Sequence, residues 1–274
     1  MSRRARRAVV NGTGVVVALL FAFPVYWMAI TAFKPADQIQ TYVPVFIPSP
    51  TLDNFAKAIS QPHFSDFLRN SVVVTLATVG LAIVVGFLAA ATVARTKFRG
   101  KGSFLLLVAV AQMAPFEALL IPFFLFMKDT PVYGQLPSLI LIYFIFTLPF
   151  TIWSLRGFIS GIPVDLEEAA MVDGCSRFGA FMRVTVPLLG PGLVATSIFC
   201  FITAWNEYFY AFVFMTDAQN YTLPVWLGSF RTNFGTDWGA TMAASTLFTL
   251  PVLDFFLLIQ KRMVSGLTAG AVKG

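Results

Sequence analysis

Residues 8–33 contain no Asp, Glu, Lys or Arg, an uncharged run of 26 residues. A helix crosses a hydrocarbon layer about 30 Å thick with ~20 residues. Inside that layer every backbone N–H and C=O must be paired within the chain, which leaves the helix as the natural spanning element for such a run. The pattern then repeats. Residues 70–94 are uncharged over 25 positions, and 103–127, 136–155, 192–215 and 239–259 carry at most one acid each. Six spans are expected, at about 9–33, 71–94, 103–127, 136–157, 192–215 and 239–260. The expected fold class is therefore an all-α integral membrane protein with one transmembrane domain over 1–274.

Composition supports this. The chain is 57% hydrophobic and only 12% charged, with thirty Phe, where a soluble domain carries about 25% charged residues. A cleaved signal peptide would have an apolar region of roughly 7–15 residues and a small-residue cleavage site. The first run is longer and shows no such site, so it reads as an uncleaved span. The net charge of +6 sits in short segments between apolar runs, which is no nucleic-acid signature. Cys175 and Cys200 suggest neither a disulfide nor a metal site, and His63 stands alone. A membrane enzyme would need a nucleophile or metal constellation that these residues do not supply.

Orientation follows from the Lys and Arg distribution. With the N-terminus inside, the segments assigned to the cytoplasm hold Arg3, Arg4, Arg6, Arg7, Arg95, Lys97, Arg99, Lys101, Arg156, Arg177, Arg183, Lys261, Arg262 and Lys273, which is 14 of 19 basic residues. Lys34, Lys57, Arg69, Lys128 and Arg231 fall outside. Six spans then place both termini and the loop between the fourth and fifth spans in the cytoplasm.

That loop, about 161–190, is the one long amphipathic stretch. Pro163 suits a first helical turn, where its missing N–H would be unpaired anyway. Asp165, Glu167 and Glu168 follow in that turn, where negative charge suits the helix dipole. Leu166, Ala169, Ala170 and Asp173 recur at helical spacing. Gly174 can end the helix in a left-handed conformation. Phe178, Phe181, Met182 and Thr185 share a face of the next turn-forming run, and Pro187 and Pro191 mark the start of the fifth span. By spacing alone this is a helix joining two spans, with no partner specified.

The residues Glu168-Ala-Ala, Asp173-Gly174, Phe181 and Pro187-Leu-x-x-Pro191 resemble the EAA motif of permease subunits in binding-protein-dependent ABC importers. Ala32-Phe-Lys, Thr51-Leu-Asp-Asn-Phe and Asn70-Ser resemble the first outer loop of the carbohydrate-type members. Gly266-Leu-Thr-Ala-Gly-Ala-Val-Lys-Gly274 is similar to the C-terminus of the maltose-type members. The resemblance covers almost the whole chain and is loosest at Lys128–Pro137. It implies a type I importer permease fold with a cytoplasmic coupling helix. Glu167, Glu168, Ala169, Ala170, Asp173, Gly174 and Phe181 would dock on an ATPase, and Gly266, Leu267, Thr268, Gly270 and Lys273 would reach the interface of the two ATPases. The partners implied are a second permease, two copies of the ATPase and an extracytoplasmic sugar-binding protein touching Asp217–Trp238, in a bacterial inner membrane. This chain would be non-catalytic and bind no cofactor, ATP and Mg belonging to the partners. The cargo implied is a sugar such as the disaccharides trehalose or maltose.

Two further points bear on the chemistry. Gly100-Lys101 is not a phosphate-binding loop, because Arg95 replaces the first Gly of G-x-x-x-x-G-K and Gly102 replaces the Ser/Thr. Acids inside apolar runs cost on the order of 2.5–3.5 kcal/mol and usually face a cavity or a partner. Asn206 and Glu207, flanked by Trp205, Tyr208 and Tyr210, offer donors, acceptors and rings suited to a sugar; the alternative is an interfacial aromatic belt with a hydrogen bond between subunits. Gln112 and Glu117 lie in a third span broken near Pro115, and broken helices often line transport paths. Asp254, within about two turns of Lys261-Arg262, is expected to form a structural ion pair. A proton-coupled carrier is the rival class, but it predicts acids paired with His or Lys and inverted repeats, and neither is evident.

Overall fold

The computed structural model describes residues 3–232 and 235–271. Helix α1 is Arg3–Ala32 and α2 is Phe64–Arg95. Then come α3, Lys101–Gln112, and α4, Leu120–Met127. The long α5 covers Leu136–Ser160, and the short amphipathic α6 covers Asp165–Val172. The fifth apolar region forms α7, Gly190–Trp205, and α8, Phe209–Phe214. The last helix, α9, is Trp238–Ala271. Among the described residues, strand is confined to a two-residue antiparallel pair, Arg231 with Thr236 and Thr232 with Gly235.

Among the described residues, four helices are long and apolar enough to cross a membrane, and up to six spans result if each of two bent helix pairs is one span. The first bend, 92°, separates Lys101–Gln112 from Glu117–Met127. Pro115 accounts for it: it donates no N–H and pushes the residue before it out of helical geometry. The second, 65°, separates Arg177–Leu188 from Gly190–Trp205, where Pro191 sits in the first turn of α7. The expected continuous segment 192–215 is interrupted instead. α7 stops at Trp205 and α8 restarts at Phe209, with no Pro or Gly between.

The chain groups into two compact units. In the first, residues 3–64 and Trp226–Pro251, Asn54 organises the turn after α1. Its amide donates to the carbonyls of Ala32 and Lys34 at 3.0 and 2.7 Å. The Lys34 ammonium lies 3.9 Å from the centre of the Trp27 ring, a cation–π contact. A Cβ on Gly239 would come within 2.3 Å of the Asn54 side chain, so only glycine allows this approach.

The second unit, Ser65–Val225 with α9 beyond Pro251, has a core of Val74, Met127, Leu139, Ile142, Tyr143, Tyr210, Ala211 and Phe214. A smaller cluster joins Ala90, Leu155, Ile159 and Leu189. On α2, Ala82, Gly86 and Ala90 form a buried stripe at four-residue spacing. Small residues let helix backbones approach closely where lipid supplies no hydrophobic drive. At Gly86 a Cβ would lie 2.4 Å from the Thr151 methyl. Gly86→Val is therefore expected to overpack α2 against α5 by about 1–3 kcal/mol and to lower the unfolding midpoint in detergent. An unchanged midpoint would show that the two helices separate without cost. From the same stretch of α5, hydroxyl contacts reach α7, with Ser154 to Thr196 at 2.9 Å and Thr151 to the Cys200 sulfur at 3.2 Å.

Candidate functional site

Helix α6 forms where the acids and the glycine direct it, while Pro163 lies before the N-cap Val164 rather than in the first turn. The Val164 carbonyl accepts from the N–H groups of Glu167 and Glu168 at 2.8 and 3.0 Å, and Asp165, Glu167 and Glu168 fill the first turn. The helix ends at Gly174, whose φ is +92°. The Cys175 N–H reaches back to the Ala170 carbonyl at 3.0 Å, the closing bond of a left-handed cap. Ser176 caps the next turn by accepting from the Gly179 N–H at 3.1 Å. A π-helical turn, Phe181–Thr185, follows.

The two adjacent glutamates point different ways. Glu168 is exposed, together with Ala169, Asp173 and Gly174. Apolar side chains stand out beside them: Leu166 is 44% exposed, Val172 88% and Phe178 74%. Glu167 is buried. Its Oε1 accepts from Arg95 Nε at 2.7 Å and from the Thr185 hydroxyl. A second nitrogen of the same guanidinium donates to the Ile162 carbonyl at 2.9 Å. Glu167, expected among the docking contacts, is thus committed to the chain's own interior. Ala170 and Phe181 are half-buried, and the Phe181 ring lies 5.9 Å from that of Phe87. These three hold the segment from behind, while Glu168, Ala169, Asp173 and Gly174 present a surface. Arg95 and Thr185 were not among the expected site residues. Arg95 is the first charge after a long apolar run, but nothing local links it to a residue 72 positions on.

The polar pair in the fifth apolar region is likewise rearranged. Glu207 is buried and accepts from the Tyr143 hydroxyl and from the N–H groups of Tyr210 and Ala211 at 2.9 and 3.2 Å. It caps the first turn of α8, whose donors the break would leave bare. Tyr210 is fully buried and donates to the Phe116 carbonyl at 2.8 Å. Its ring lies 4.7 Å from that of Phe116. The break in the fifth region is thereby tied to the bend in the third. Trp205 is buried and stacks on Phe201 at 5.5 Å. Trp205, Glu207 and Tyr210 therefore face protein. Tyr208 is half-buried and stacks on Phe212 at 5.5 Å.

Three candidates remain on the surface: Asn206, Gln112 and Glu117 are exposed. The Asn206 amide donates back to the Ile202 carbonyl at 2.8 Å. Asp254 is also exposed, and its expected partners Lys261 and Arg262 lie outside the described side chains. So do Gly266, Leu267, Thr268 and Gly270, which the last helix carries; Lys273 is outside the described residues.

Residues 82–268 match the model of the binding-protein-dependent transport system inner membrane components. The diacetylchitobiose uptake system permease protein DasC of Streptomyces coelicolor is 47% identical, over 96% of this chain and 96% of that one. The trehalose transport system permease protein SugB of Mycobacterium tuberculosis is 37% identical, over 100% and 99%. Among solved structures, a chain of a bacterial ABC transporter involved in import of the acidic polysaccharide alginate superposes with a TM-score of 0.76. That likeness covers 95% of this chain and 98% of the other at 21% identity, and it speaks for the fold alone.

Proposed function

The chain belongs to the family of binding-protein-dependent transport system inner membrane components, and from that premise we propose that it is the membrane-embedded permease subunit of a sugar ABC importer. One observation carries the mechanism. Between the fourth and fifth apolar regions, α6 offers Glu168, Asp173, Leu166 and Val172 to solvent and is anchored from behind by Glu167. An exposed helix with acids and bare apolar side chains is suited to dock in a cleft of a protein neighbour. The neighbour we infer is a nucleotide-hydrolysing subunit, two copies of which would serve this chain and a second permease.

In this reading hydrolysis and its ATP and Mg belong to the partners. This chain contributes a two-state element, biased from inside by the ATPases and from outside by a sugar-loaded binding protein. The basic-residue distribution supports an inner-membrane protein with both termini in the cytoplasm. The tail from Gly266 to Lys273 would reach the ATPase interface. Asn206, Gln112 and Glu117, exposed near the two helix breaks, are the candidates left to line the sugar path. The named cargoes of two relatives, diacetylchitobiose and trehalose, support a disaccharide, with trehalose or maltose as the narrower reading.

The test is purification of the tagged chain from its native membrane. A second permease and a nucleotide-binding subunit are expected to accompany it. Reconstituted with a binding protein, the particle is expected to take up a labelled disaccharide from a panel only with ATP. Uptake driven by a pH gradient without ATP would identify a secondary carrier and overturn the proposal.

A further inference from the structure

We propose that Arg95 is a positioning residue for energy transfer, the joint through which a push on α6 reaches α2 and α5. This rests on the permease reading above. Glu167 is the one buried side chain of α6, so the helix has almost no apolar packing by which its position could be felt elsewhere. What grips it is polar. Arg95 ends α2, its Nε holds Glu167 at 2.7 Å, and its Nη2 holds the Ile162 carbonyl at 2.9 Å, just past the end of α5. Thr185 holds the same glutamate oxygen from the π-helical turn leading to α7. The Arg95 carbonyl in turn accepts from the Arg177 guanidinium at 3.4 Å. The Arg95 side chain therefore ties α2 to α6 and to the residue just past α5, and through Glu167 to the π-helical turn.

The apolar contact in this segment lies outside α6 itself, through Phe181 against Phe87. Open surface clefts of about 550 and 580 Å³ flank the pair, one toward Lys97, Lys101 and Glu168, the other toward Phe87, Phe178 and Met182. An ion pair taken out of water is a poor source of net stability, but it fixes geometry. Arginine suits the task because its planar fork makes two directed bonds to two elements, where a lysine ammonium is a single flexible point charge.

The experiment uses the complete reconstituted importer with Arg95→Met, Arg95→Lys and Glu167→Gln. Two quantities are read: ATP hydrolysis stimulated by sugar-loaded binding protein, and sugar imported per ATP hydrolysed. The docking surface around Glu168 and Val172 is untouched in all three, so the complexes are expected to assemble. Arg95→Met is expected to hydrolyse ATP within about twofold of wild type yet import roughly tenfold less sugar per ATP, a coupling loss of ordinary size. Arg95→Lys, which keeps the charge and loses the fork, is expected to fall between. An unchanged import-to-hydrolysis ratio in Arg95→Met overturns the proposal. So does a parallel fall of both rates at constant ratio, which marks a merely structural contact. Should Arg95→Met fail to assemble, Arg95→Lys decides by the same ratio, and a wild-type ratio there overturns the proposal. A wild-type particle that imports no sugar on ATP would instead defeat the permease reading itself.

Discussion

Glu207→Ala is expected to leave little folded protein in the membrane. The carboxylate satisfies the Tyr143 hydroxyl and the N–H groups of Tyr210 and Ala211, all buried. Each donor orphaned away from water costs about 1–3 kcal/mol. Three such losses together approach the ~5–15 kcal/mol that typically separates folded from unfolded states. Alanine also opens a void against Tyr143. Tyr143→Phe is expected to be milder, because it removes one donor and leaves the helix cap intact. Glu207→Gln keeps the size and one accepting oxygen and should fall between them. The check is the yield of monodisperse protein and its unfolding midpoint in detergent across the three variants. A Glu207→Ala protein that remains monodisperse at the wild-type midpoint would show that the carboxylate is not a cap, and would return it to the list of groups free to meet a passing sugar.

Glu207 also shows what the amino-acid sequence conceals. An acid beside Asn206, Trp205 and Tyr210 has the composition of a sugar site. The same residues build a helix break, and only a tyrosine 64 positions earlier decides which it is. The interruption after Trp205 had no local signal, since no Pro or Gly lies there. The bend at Pro115 did have one, because a missing N–H acts wherever the chain goes. Prolines inside long helices were less informative: Pro24, Pro149 and Pro251 all lie within helices that continue past them. Membrane helices absorb such residues when neighbours satisfy the freed groups.

Helix α6 divides in the same manner. Its acidic first turn and its left-handed end were legible, because Asp165 and Gly174 act on their own backbone; Pro163, expected in the first turn, lies before the N-cap Val164 instead. Which of two adjacent glutamates turns outward was not. Successive residues on a helix lie about 100° apart, so both can sit near the edge of one face. The choice fell to Arg95, and nothing near α6 encodes it. The first, second, fourth and last of the uncharged runs are long helices in the structure, because their helicity depends on the segment alone; the third and fifth are broken.

Glu168→Lys and Gly174→Val are expected to reduce uptake strongly by two separate routes. Glu168 is exposed in the isolated chain, so changing it should disturb this chain's own fold little. A large effect on transport must then come from whatever covers it. Reversing a charge at a docked surface places like charges together, slows association and weakens the complex. Uptake by Glu168→Lys is expected to drop at least about tenfold, a typical coupling loss, with less ATPase recovered alongside the tagged chain. Gly174 acts through the backbone. A Cβ there would meet open space, but the φ of +92° lies where L-residues pay roughly 1–2 kcal/mol, and valine, branched at Cβ, adapts worst. The helix end would unwind, and Asp173 would lose its place on the docking surface. Gly174→Asn, which tolerates left-handed geometry, should retain most uptake. This contrast separates the need for a conformation from the need for an empty surface. If Gly174→Asn fails as badly as Gly174→Val, the space above Gly174 is what a partner uses. If Glu168→Lys assembles with the ATPase and transports at the wild-type rate, α6 is not the docking element.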